Sequence, residues 1–112
     1  MNVVVLQGLL ASPLVARDLP AGGVAVSFDV STRTADGVVS VPASWVAPST
    51  VPIWEVGQEV TVVGVVRRRF FRSGGSTQSR TEVLVSEAVP TSRRANVRKL
   101  VQRAVTELAE AV

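Results

Sequence analysis

The stretch from Glu59 to Arg72 reads EVTVVGVVRRRFFR and carries most of the information about the fold. Its first half is apolar and β-branched, which is typical of a buried strand. The apolar run ends in three arginines, two phenylalanines and a fourth arginine. A flexible glycine-rich turn at residues 73–77 follows, and a second strand-like run extends from Arg80 to Val89. Together the two runs predict a long β-hairpin whose tip carries cations and aromatic rings.

The period of two along a strand divides the side chains of this first run between two faces. One face holds Thr61, Val63, Val65, Arg67, Arg69 and Phe71. The other face holds Val60, Val62, Gly64, Val66, Arg68, Phe70 and Arg72. Arginine suits phosphate groups, and an aromatic ring stacks on an unpaired base. We therefore expect Arg67, Arg69 and Phe71 to face a single-stranded nucleic acid.

Length and composition exclude several classes of site. At 112 residues the chain is expected to form one domain with a modest core. It has no cysteine and no histidine, which excludes disulfides, thiolate chemistry and zinc sites built on these residues. Its carboxylates are scattered without a pair suited to acid–base catalysis, so we expect no enzyme activity, no catalytic residue, no cofactor and no metal ion.

No apolar run approaches the roughly 18 residues that a membrane span needs. The first residues also lack the basic start of a signal peptide. We therefore expect a cytoplasmic protein without a membrane partner, and binding of DNA would make it nucleoid-associated.

Positive charge is concentrated in the second half of the chain. Only Arg17 and Arg33 precede residue 67, so ten of the twelve basic residues lie at or beyond Arg67. Three of these arginines directly continue a strand, which favours an anionic partner over a merely solvated surface.

Three further strands are predicted at Asn2–Leu10, Val24–Arg33 and Val38–Val41, the last ended by Pro42. Residues 11–23 are predicted to be a connection without a strand. Beyond Thr91 the apolar residues recur at steps of three and four, as in an amphipathic helix. That helix could pack on its own barrel, pair with a helix of another subunit, or contact nucleic acid, and all three remain open.

Five strands and one helix predict an all-β protein of the oligonucleotide/oligosaccharide-binding (OB) type, a five-stranded barrel with an added C-terminal α-helix. An SH3-like barrel fits the same strand count. We divide the chain into an OB-fold nucleic-acid-binding domain, residues 1–90, and an amphipathic helix, residues 91–112. Trp54 is assigned to the core beside strand four, whereas Trp45 fits either packing or base stacking.

Several stretches resemble the bacterial single-stranded-DNA-binding protein (SSB) family. The residues that carry the resemblance are MNVVVLQGLL at 1–10, VSFDVSTR at 26–33, GQEVTVVGVVRRRFF at 57–71 and TEVLV at 81–85. They resemble family strands one, two, four and five, in that order. The resemblance implies an OB barrel, a homodimer or homotetramer, and binding of single-stranded DNA in replication, repair or recombination. RNA is a second candidate ligand.

Carried over by position, Phe71 matches a base-stacking aromatic of the family, and Arg67 and Arg69 match basic positions beside it. Arg33 falls where strand two runs into a DNA-contacting hairpin. The complete set of candidate nucleic-acid-binding residues is Arg33, Trp45, Arg67, Arg69, Phe70, Phe71, Arg72 and Arg80.

Two departures from the family pattern indicate a divergent or accessory member. Residues 38–45, VVSVPASW, lack the aromatics that the family carries in strand three. Residues 106–112, TELAEAV, lack the acidic tip through which the family recruits repair and replication enzymes, so no such recruitment is expected. The alternative function is an oligomerisation or interaction module in which DNA binding is weak or lost.

Overall fold

Six strands and one helix make up the structure, a computed structural model that describes residues 1–112. The elements are β1 (Val4–Leu10), β2 (Val15–Asp18), β3 (Val24–Thr34), β4 (Gly37–Val46), β5 (Glu59–Ser73), β6 (Ser76–Pro90) and α1 (Arg94–Ala111). No helix of the structure combines the length and the apolar character that a membrane span requires.

The strands close into a barrel. Their order is β1-β5-β6-β4-β3-β2, and an additional pairing between β1 and β3 completes the ring. All pairs are antiparallel except β4 with β6, which run parallel through Ala43 and Val83. The short strand β2 pairs only with β3 and lies outside the ring. The predicted five-stranded OB barrel with a C-terminal helix is therefore confirmed, with one extra strand.

The barrel interior is filled by inward-facing residues of alternating strand positions, as the period of two predicts. The core residues are Leu6, Leu10, Val26, Phe28, Val30, Ala43, Val60, Val62, Val83, Val85 and Ala88. Trp54 meets Phe28 edge to face at a ring-centroid distance of 5.7 Å, so its assignment to the core is confirmed. Each buried Val or Leu contributes about 1.5–3 kcal/mol of transfer free energy.

Two strand glycines allow the barrel to close. An ideal Cβ on Gly8 would lie 2.2 Å from the carbonyl oxygen of Ser31, where β1 turns from β5 towards β3. A Cβ on Gly64 would lie 2.1 Å from the carbonyl oxygen of Leu84. Beside Gly64 the β5–β6 register shifts, which leaves Ser86 as the extra residue of a β-bulge. Both strands therefore bend where a side chain is absent.

Two expectations for the first half of the chain are wrong. Residues 11–23 contain β2, whose four residues are all exposed and so show no apolar alternation. Strand β4 passes through Pro42 and continues to Val46. Asp29 lies opposite Pro42 on β3, but its backbone hydrogen bonds are made on the side of β3 away from β4. Its N–H donates to Ser12 Oγ, and its carbonyl accepts from the N–H of Ala11. The missing N–H of Pro42 therefore costs β3 no ladder hydrogen bond.

The turn between β5 and β6 is shorter than predicted. It consists of Gly74 and Gly75, both with positive φ (58° and 83°), as a two-residue hairpin turn requires. Ser76 and Thr77 therefore belong to β6 rather than to the predicted flexible turn, and Ser73 belongs to β5. Two strands of fifteen residues each form the hairpin.

Helix α1 packs on its own barrel, the first of its three predicted roles. Leu100 and Ala104 are buried against Val63, with Val3 beside them. Leu100 lies three residues after Val97 and four before Ala104, as the three-and-four spacing requires. The later apolar residues Val105, Leu108 and Val112 are exposed. Neither Thr91 nor Ser92 caps the helix. Arg93 occupies the N-cap position without a side-chain bond, and the Thr91 hydroxyl bonds that of Thr61.

Candidate nucleic-acid interface

The β5–β6 hairpin extends beyond the barrel as a free two-stranded arm, residues 67–82. Strand β1 pairs with β5 only as far as Gly64, and β4 pairs with β6 only at Val83 and Leu84. From Arg67 to the turn the two strands pair only with each other. This part of β5 spans about 20 Å at the usual rise per residue. Helix α1 covers Val63 below the arm and leaves the arm itself open.

The first face of the arm carries Arg67, Arg69 and Phe71 together, as predicted. Their cross-strand partners are Glu82, Arg80 and Gln78. Glu82 is only 5% exposed, and its Oε1 atom accepts a hydrogen bond from Arg67 Nε at 3.1 Å. Arg69 Nε lies 3.3 Å from the same oxygen, in a direction that makes no hydrogen bond, and is buried there. The side chains predicted to bind phosphate therefore already share a carboxylate.

An open groove lies between this face and the barrel. The groove has a volume of about 290 Å³. Its polar lining comes from Ser12 in the loop after β1, Ser27 and Asp29 on β3, and Arg69, Arg80 and Glu82 on the arm. Arg80 lies 3.7 Å from Asp29, an ion pair that crosses the groove from the arm to β3. OB folds bind oligonucleotides at this position, between the first loop, the second and third barrel strands and the hairpin.

The second face of the arm carries Arg68, Phe70 and Arg72. Their cross-strand partners all bear hydroxyl groups and are Thr81, Ser79 and Thr77. Arg68 donates a hydrogen bond to Ser79 Oγ at 3.0 Å and lies 5.5 Å from the centroid of the Phe70 ring. The Phe70 side chain is 65% exposed, against 36% for Phe71. An unpaired base has room to stack on this ring.

Six of the eight candidate residues thus lie on the arm, and the other two lie elsewhere. Because β4 and β6 run parallel, the β3–β4 turn and the arm tip lie at the same end of the barrel. Arg33 is exposed and lies on β3, three residues before Asp36, the last residue of that turn. It therefore lies at the same end of the molecule as the arm tip. Trp45 lies towards the opposite end of β4 and packs against Trp54 at 6.2 Å. The structure does not bring it to the arm, and its role in stacking stays a prediction.

The acidic partners of the arm, Glu82 and Asp29, were not predicted from the sequence. The scattered carboxylates include Glu82 and Asp29, and both lie within ion-pair distance of predicted binding arginines. A signal for Glu82 is present in the sequence, because a two-residue Gly74-Gly75 turn places residue 82 opposite residue 67. Asp29 comes from β3, and no local pattern connects it to Arg80.

Comparisons with known proteins agree with this description of the fold. No protein-family model matches the sequence, and a sequence search finds no similar curated protein. The structure is similar to that of the Plasmodium falciparum SSB in its complex with ssDNA, with a TM-score of 0.65 and 15% identity. The match covers 80% of this chain and 94% of that chain. The chain therefore has an SSB-like OB fold.

Proposed function

We propose that this protein binds single-stranded DNA without catalysis, as a divergent or accessory SSB-like protein. Arginines of the arm hold the phosphates, and Phe70 and Phe71 stack on bases. The observation that carries the proposal is the arm itself. It projects from the barrel, bears exposed rings beside guanidinium groups, and is left open by helix α1. A single strand offers both its phosphates and its unpaired bases to such a surface, whereas a duplex hides its base faces.

The likeness to a solved SSB–ssDNA complex supports the same class of ligand. On β4, however, the exposed positions Val38 and Val39 offer no ring. Apart from the predicted role of Trp45, stacking is then confined to the arm, and phosphate contacts supply most of the affinity. A binder of this kind would act in replication, repair or recombination, where DNA is unpaired.

Binding is expected to depend steeply on salt. With two or three arginine–phosphate contacts, log Kobs should fall against log salt with a slope of about −1.5 to −2. Affinity for a labelled oligo-dT should then drop roughly tenfold between 50 and 200 mM salt. Fluorescence anisotropy across that range measures both quantities, with a duplex of equal length and oligo-rU as competitors. Absence of binding at micromolar protein, or binding indifferent to salt, would refute the proposal.

A second candidate function, self-association, is favoured by the outer part of α1. Val105 and Leu108 are exposed and follow Leu100 and Ala104, the residues that dock the helix on the barrel. The basic residues of the helix all lie in its first ten positions, whereas Glu107 and Glu110 lie in its last five. Two antiparallel helices would bring opposite charges together along an apolar seam, so a second copy of this chain is the proposed partner.

Replacing Val105 and Leu108 together with serine should convert the oligomer to monomer. Leu100 and Ala104 are unchanged, so the helix stays docked on the barrel and the melting temperature should change little. Light scattering of the variant, beside the exposed control Thr106→Ser, gives the mass, and oligo-dT titration per protomer shows whether binding persists. A wild-type protein that is monomeric at every concentration would exclude self-association, and an unchanged mass in the variant would exclude α1 as the seam.

A further inference from the structure

The two faces of the arm differ in how their positive charges are balanced. We propose, resting on the proposed function, that the polynucleotide is held by the face formed by Arg68, Phe70 and Arg72. Glu82 holds Arg67 and Arg69 on the other face as an internal substitute for a phosphate. This assignment reverses the face that the family resemblance implied.

The face of Arg68 and Arg72 contains no carboxylate. Neither arginine forms a salt bridge, and each donates only to a neutral oxygen, Arg68 to Ser79 Oγ and Arg72 to the Gly75 carbonyl at 3.5 Å. A phosphate that replaces such a partner gains a charge-assisted hydrogen bond and displaces nothing charged. The hydroxyl groups of the facing strand are further donors to phosphate oxygens.

The face of Arg67 and Arg69 is occupied by its own anion. Glu82 lies 3.1 Å from Arg67 Nη2 and 3.3 Å from Arg69 Nε while it is almost entirely buried. A phosphate approaching either arginine meets this fixed negative charge at close range, where repulsion is strong. Arg80 is likewise balanced by Asp29. Three guanidinium groups against two carboxylates leave this face one net positive charge, against two for Arg68 and Arg72, so fewer counterions are released when a strand binds here.

Glu82 therefore acts as a positioning residue. Through its ion pairs it ties the guanidinium groups of Arg67 and Arg69 on β5 to β6 at the base of the arm. It also restricts the free cations of the arm to the side on which the more exposed ring, Phe70, lies.

A matched pair of neighbouring substitutions, Arg68→Gln and Arg67→Gln, tests the assignment. Each removes one guanidinium from the same strand and preserves a polar side chain. Arg68→Gln should reduce the salt slope for oligo-dT by about 0.7 and weaken binding roughly eightfold at 50 mM salt. Arg67→Gln should leave the slope unchanged. Glu82→Gln should steepen the slope by about 0.7 to 1.4, because it frees one or two cations.

Thermal unfolding followed by circular dichroism verifies that each variant is folded. The Arg68 and Arg67 variants decide between the faces even if the Glu82 variant is unfolded. If the wild-type protein binds and Arg67→Gln reduces the slope as much as Arg68→Gln does, the assignment of the face is wrong. An unchanged slope in folded Glu82→Gln would overturn the role of Glu82. A wild-type protein that fails to bind would instead contradict the proposed function.

Discussion

Replacing Phe70 and Phe71 together with alanine is expected to weaken binding of oligo-dT by roughly 30-fold to 10⁴-fold. Stacking contributes about 1–3 kcal/mol per base. The ring of β4, Trp45, packs against Trp54 away from the arm and does not compensate for the loss. The salt slope should remain, because the substitution removes no cation. Both side chains are largely outside the core, so the melting temperature should change by only a few degrees.

Anisotropy titration at fixed salt measures the loss, with Ile53→Ala as control. Ile53 is 95% exposed and lies in the segment between β4 and β5, away from the arm. Its removal should leave the affinity unchanged. Of the single variants, Phe70→Ala should have the larger effect. If the double variant binds like the wild type, stacking on the arm is excluded and phosphate contact alone remains.

Gly64→Ala is expected to have the largest effect on stability. The new Cβ would lie 2.1 Å from a backbone oxygen of β6 and 3.1 Å from a methyl group of Val83, so the strands must move apart. Overpacking of this kind costs about 3 kcal/mol, which corresponds to a fall in melting temperature of about 10 °C or more. Thermal and urea unfolding followed by circular dichroism would measure both values.

Gly74→Ala is the matched control. Gly74 has a φ of 58°, but no atom lies within 4 Å of the position that an added Cβ would take. Its replacement therefore carries only the left-handed backbone cost of about 1–2 kcal/mol. A larger loss at Gly74 than at Gly64 would show that turn geometry, rather than close approach of β5 and β6, limits stability.

The strand pattern was sufficient to assign most of the barrel. The strands predicted at Asn2–Leu10 and Val24–Arg33 coincide closely with β1 and β3, and the strand predicted from Glu59 onward coincides with β5. The strand pattern failed where the local sequence shows no apolar alternation. Strand β2 buries none of its residues, and Pro42 is tolerated in β4 only because Asp29 bonds to the loop on its other side.

The arm and its two faces follow from chain-local information. Arginines and phenylalanines continue an apolar strand, two glycines turn the chain, and a period of two distributes the side chains. The charge balance of each face cannot be predicted from these neighbouring residues. Glu82 is buried between Arg67 and Arg69 because pairing with β6 brings it there, and Asp29 reaches Arg80 from a strand 51 residues away in sequence. Which cations are neutralised depends on contacts between distant strands, and such contacts exist only once the barrel has closed.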